Sequence, residues 1–171
     1  TYTMNDLRLI FRDPVLYVMF FVPLLFIALL RFGLPPLFES FPILISYKMV
    51  FVASFCLVTA MFPAFIFSFI MLDEKDLEVL AAIRVLPVSP SIFIMYRLLF
   101  ISVFSMFFNL LILMLSILTG WTLGKMLMVS VMVAMVSPES FFIINAFASN
   151  KIVCTTWIKC HNFLFMATVL T

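Results

Sequence analysis

The sequence predicts an all-α fold, a polytopic transmembrane helical bundle in a single domain over 1–171. Three observations predict it. Of the 171 residues, 66% are hydrophobic and 11% charged, against roughly 45–50% and about 25% in soluble domains. So little polar surface cannot cover so much apolar side chain in water. The charges cluster, and the runs between them are long enough to cross the ~30 Å hydrocarbon core at about 1.5 Å per residue. Period-two alternation is absent and the runs are too long for barrel strands, which leaves helices.

The elements follow in order. Residues 5–14 (NDLRLIFRDP) place Leu7, Ile10 and Phe11 at helical spacing, with Arg8 and Arg12 one turn apart. They read as a helix lying at the membrane surface and ending at Pro14, or as a polar flank. Span 1 is 15–34, with Arg31 snorkelling and Pro23 inside it. Residues 31–48 are too short to cross and too apolar for a free loop, so we expect a re-entrant or interfacial segment. Span 2 is 49–72 and contains Pro63.

Residues 73–91 carry half the acids of the chain: Asp73, Glu74, Asp76 and Glu78, with Lys75 among them. Val79, Leu80, Ile83 and Leu86 follow at helical spacing, then Arg84 near the end and Pro87 as the stop. Acids at the start and a base at the end suit a helix dipole. This reads as a short amphipathic helix able to dock in a groove, or as a solvated connector. Span 3 is 92–119 and span 4 is 126–149. Residues 157–171 begin a fifth span that is too short to cross, and we expect a C-terminally truncated copy of a longer protein. Seven basic residues (Arg8, Arg12, Lys75, Arg84, Arg97, Lys151, Lys159) then share a side with the N-terminus and three (Arg31, Lys48, Lys125) lie opposite. The positive-inside rule puts that N-terminus in the cytoplasm of a plasma-membrane, multi-pass protein.

The net charge of +2 gives no reason to expect a nucleic acid as partner. Gly120 and Gly124 precede Lys125 and Met126. A phosphate loop needs four residues between its glycines and Ser or Thr after the Lys, so this is no nucleotide site. The pair reads as a helix contact or, more simply, a tight turn. Cys56, Cys154 and Cys160 fit no disulfide, zinc or haem spacing, and His161 reads as an ordinary residue near the membrane surface. We assign no catalytic, cofactor-binding or metal-binding residue, and no enzyme activity, to this chain. Glu139 falls near the bilayer midplane beside Pro138. It reads as a carboxylate on a translocation path or as a packing group bonded to a neighbouring helix. Asn109 and Asn145 are further candidates for the path, or interhelical glue. The 13 methionines suit either an adaptable lining or lipid-facing filler.

The stretches NDLRLIFRDP, LDEKDLEVLAAIRVLPVSPSIFIMYRLL and AFASNK, in that order along nearly the whole chain, carry a family resemblance. The sequence resembles the membrane subunit of type-2 ATP-binding-cassette exporters, in particular a fluoroquinolone-export-permease-like branch. The resemblance implies six spans per subunit, a second permease copy completing a pore, and a cytosolic ATPase partner that binds the ATP and Mg²⁺. It implies that Arg8, Arg12, Asp73, Glu74, Lys75, Asp76, Leu80, Ile83, Arg84 and Pro87 couple the permease to that ATPase. The expected function is ATP-driven export of a drug-like or other amphipathic substrate. The rival expectation is a non-transporting accessory membrane protein or a degenerate permease fragment.

Overall fold

The computed structural model describes residues 2–76, 90–116 and 120–170, and among them it is helical, without strands. Helix α1 spans Tyr2–Arg12 and α2 spans Pro14–Ala28. Asp13 separates them because its carboxylate caps α2, accepting from the Val15 amide at 2.8 Å, while Pro14 takes the first helical position. A π-helical turn, Leu29–Gly33, leads into α3, Leu34–Ser40. Pro35 and Pro36 explain that turn. They lack the amides that would bond the carbonyls of Arg31 and Phe32, so the helix widens just before them. Arg31 does more than snorkel: its Nη1 donates to the Leu115 carbonyl at 3.1 Å. A 3₁₀ segment, Pro42–Tyr47, enters the 29-residue α4, Lys48–Asp76. The stretch 31–48 is thus helical in three short pieces.

Helix α5 spans Pro90–Leu115, α6 Leu123–Ala134, α7 Val136–Phe147 and α8 Lys151–Leu170. Gly120 has φ +58°, the left-handed conformation of a tight turn. Among the described residues, nothing lies within 4 Å of where a Cβ would stand on Gly120 or Gly124, so none of their helices presses on the pair. Helices α6 and α7 are one crossing segment broken at Met135. Pro138 has no amide to offer the Ala134 carbonyl, and the Met135 amide tightens onto Met132 at 3.3 Å instead. Pro23 and Pro63, by contrast, sit inside unbroken helices. Asn150 caps α8, accepting from the Val153 amide at 2.9 Å, so that helix starts six residues before the expected Trp157.

Among the described residues, four segments are long and apolar enough to cross a membrane: Pro14–Ser40, Pro42–Asp76, Ile92–Leu115 and Leu123–Phe147. Helix α4 is the axis of the bundle, with α2, α5, α7 and α8 packed around it. One apolar cluster joins Ile10, Leu16, Phe65, Ile101, Phe141 and Ile158 at the end where α1 lies. A second joins Leu30, Phe38, Val52 and Ile112 at the other end. Large apolar side chains remain exposed around the outside, among them Leu25, Leu99 and Met128. That is the inverse of a water-soluble surface and suits contact with lipid.

Candidate functional site

The charged end of the bundle is built around Arg97. It stands two turns into α5, and α5 runs antiparallel to α4, so the side chain meets the last turn of α4. Its guanidinium grips Glu74 with both arms, Nη1 to Oε2 at 2.6 Å and Nη2 to Oε1 at 2.5 Å. Nη2 also reaches Asp6 Oδ1 on α1 at 3.4 Å, and Nη1 lies 3.4 Å from the Met71 sulfur. The Phe93 ring, one turn earlier on α5, lies 4.2 Å from the guanidinium carbon. The Arg97 side chain is 0% exposed, against 14% for Glu74 and 8% for Asp6. Bidentate pairing is the geometry in which a buried arginine repays part of its desolvation. Two acids share the one cation, and the strain falls on Asp6. Burial, assisted by the Glu74 charge, holds the Asp6 carboxyl above its ordinary range despite the attraction of Arg97. Among the described residues, Asp6 Oδ2 and Arg97 Nε are buried without hydrogen-bond partners.

A second, looser pair closes the same end. Lys151 Nζ at the start of α8 lies 2.7 Å from Asp73 Oδ1, with both side chains 43% exposed. Arg12, Asp13, Asp73 and Glu74 line a cavity of about 320 Å³ between the α1–α2 joint and α4. Arg8, Lys75 and Asp76, on α1 and α4, are exposed. The candidate coupling residues before Leu77 therefore gather at one end of the bundle. Leu80, Ile83, Arg84 and Pro87 lie outside the described residues, as does most of 73–91.

The candidate path residues separate. Asn109 is fully buried and donates to the Ser105 carbonyl of its own helix at 3.0 Å. Asn145 is half-buried and donates to Ser68 Oγ on α4 at 2.9 Å. Ser137 donates to the Ala60 carbonyl, so α7 meets α4 at two points eight residues apart on each. Ser140 and His161 Nε2 lie 3.0 Å apart, joining α7 to α8. Glu139, between Ser137 and Ser140, is exposed on the flank of the chain. At the bilayer centre a carboxylate costs roughly 2.5–3.5 kcal/mol.

Sequence reasoning missed Arg97 and His161 as members of any site. Arg97 entered only as one basic residue on a side. The available signal was a lone cation early in one crossing run, with acids ending the run before it. His161 had no such signal, because its partner comes from a helix pairing that spacing does not encode.

No curated protein and no solved structure matches the chain. A family profile described as "Fluoroquinolones export permease protein Rv2686c-like" matches residues 6–171, which takes in most of α1, the four crossing segments and α8. The chain is a membrane protein belonging to the Rv2686c-like fluoroquinolone export permease family.

Proposed function

We propose that this chain is the permease subunit of an ATP-driven exporter that moves a drug-like or other amphipathic substrate out across the bacterial cytoplasmic membrane. A separate cytosolic ATP-binding-cassette subunit binds and hydrolyses ATP with Mg²⁺, and two permease copies enclose the path. The N-terminus and the Arg97 end face the cytoplasm, as the excess of basic residues on that side favours. The observation that carries the reading is the Arg97 cluster. It ties α1, the end of α4 and the start of α5 into one body, and α4 and α5 are the helices that flank 77–89. A partner pressing on 77–89 or on α1 therefore moves two crossing helices together. Nucleotide-driven closure of the ATPase favours one arrangement of these helices over another through its differential contacts with them.

Affinity purification tests the coupling. The ATPase encoded with the permease should co-purify with it from detergent extracts. Leu80→Asp combined with Ile83→Asp, each placing a charge where an apolar anchor is expected, should lower its recovery by about tenfold or more. The permease should stay monodisperse. Undiminished recovery refutes the coupling role.

A further inference from the structure

Around α7, Ser137 and Asn145 turn to α4 and Ser140 turns to α8. The opposite face carries Met135, Glu139, Phe142 and Ala146 at spacings of four, three and four, and all four are exposed. Glu139 is the one charged residue of these four, and His161 of α8 is near enough to feel its charge. The depth of Glu139 follows from its neighbour: Ser137 meets Ala60, close to the middle of the 29-residue α4.

Hydrocarbon is a poor neighbour for that face, because a carboxylate at mid-depth needs water, a partner or a proton. A symmetric contact with a second copy through this face alone would bring two such carboxylates together. The break at Met135 acts in the other direction. It opens a new helix at mid-depth and puts Glu139 in its first turn, where a negative charge suits the helix dipole. Pro138, next in the chain, closes one side of a groove of about 710 Å³ against α5. Ile92, Met95, Tyr96, Leu98, Leu99 and Ser102 line it on the α5 side, so the groove runs from mid-depth toward the Arg97 end. It is a wide hollow open on its outer side.

We propose that this face binds an amphiphilic organic cation, with the Glu139 carboxylate as counter-charge and the α5–Pro138 groove as the seat for the apolar body. The inference rests on the permease reading for its biological use and on the α7 face for its chemistry. The fixed negative charge selects for a positive head. The groove, walled mainly by apolar residues with Tyr96 and Ser102 among them, selects for a hydrophobic tail and tolerates variation in its shape. His161, engaged with Ser140, also interacts electrostatically with Glu139, so the carboxylate faces the ligand with an imidazole at its back.

The test uses the full chain in lipid nanodiscs. The probes are a dansyl-alkylammonium and its uncharged N-acetyl analogue of equal chain length. Glu139→Gln should weaken the ammonium probe by about tenfold or more, the loss expected of one charge-assisted contact, and the neutral probe by less than about twofold. Glu139→Asp, which keeps the charge, should stay within about threefold of wild type for both. Wild-type affinity for the ammonium probe in Glu139→Gln overturns the site. Equal weakening of both probes overturns it too, since that marks a change in packing. Unchanged probe binding with loss of the dimer in analytical ultracentrifugation assigns the face to a subunit contact and also overturns it. The exporter reading is scored separately, by ATP-dependent uptake of both probes into inverted vesicles carrying permease and ATPase. If wild type binds the ammonium probe through Glu139 but ATP moves neither probe, that reading falls and the binding site stands.

Discussion

Replacing Arg97 with Met tests whether the charged end is held by an ion cluster or merely decorated by one. The methionine fills much of the same apolar stem but leaves Glu74 and Asp6 with no cation in a pocket where they are 14% and 8% exposed. Removing one partner from a buried pair costs about 3–5 kcal/mol. The lost contact with Phe93 adds about 0.5–2 kcal/mol, and protonation of Asp6, already inclined to hold a proton, returns part of that. The net expectation is a loss of about 3–5 kcal/mol. At about 2–4 °C per kcal/mol for a chain of this size, the Tm should fall by about 6–20 °C. Circular dichroism melts in detergent read it directly. Arg97→Lys should fall between the two, because an ammonium keeps the charge and loses the two-armed grip. A triple variant, Arg97→Met with Glu74→Leu and Asp6→Asn, should recover most of the loss, since no uncompensated charge remains. An Arg97→Met protein within about 1 kcal/mol of wild type refutes the reasoning.

Asp6 gives a pH signature of opposite sense to an ordinary salt-bridged acid. Its folded pKa lies above 3.8, so the native state holds the proton more tightly than the unfolded chain, and stability drains away as pH rises from about 4 through the folded value. The Tm advantage of wild type over Asp6→Asn should therefore shrink with rising pH across that window, and a constant or growing advantage contradicts the assignment. Asn145→Ala removes the tie to Ser68 and should cost about 0.6–1.7 kcal/mol. Ser68→Ala added to it should cost little more, as a double-mutant cycle in the same melts will show. Lys151→Ala breaks a pair that is 43% exposed on both sides and should change stability by less than about 1 kcal/mol, an effect that vanishes in high salt.

Four crossing helices are legible in the sequence because a bilayer demands long uncharged runs, and nothing else in a chain this apolar accounts for them. The break at Pro14 and the turn at Gly120 are legible for similar reasons, since each is local chemistry. The Arg97 cluster is not legible. Its partners lie 23 and 91 residues away, and only the antiparallel pairing of α4 with α5 and the docking of α1 bring them together. The fate of the polar path candidates is hidden for the same reason. Asn109 and Glu139 look alike as polar residues in apolar runs, yet one is fully buried and bonded to its own helix and the other stands exposed. Hydropathy locates a residue in depth but says nothing of its angle around the helix. Pro138 was a visible signal for a kink, and the place where the helix gives way, Met135, follows from the carbonyl a proline cannot satisfy.

The joint at Met135 also bears on how the chain enters a bilayer. Helices α6 and α7 have 12 residues each, about 18 Å of rise apiece, well short of the ~30 Å core. Neither half is a stop signal for the insertion machinery by itself. The two must be recognised in line, as a single 25-residue passenger, Leu123–Phe147, with Glu139 carried inside on the hydrophobic credit of both halves. A joint loosened enough to uncouple them would present two segments that each fail to lodge. Helix α8, made afterwards, would then emerge on the wrong side of the membrane.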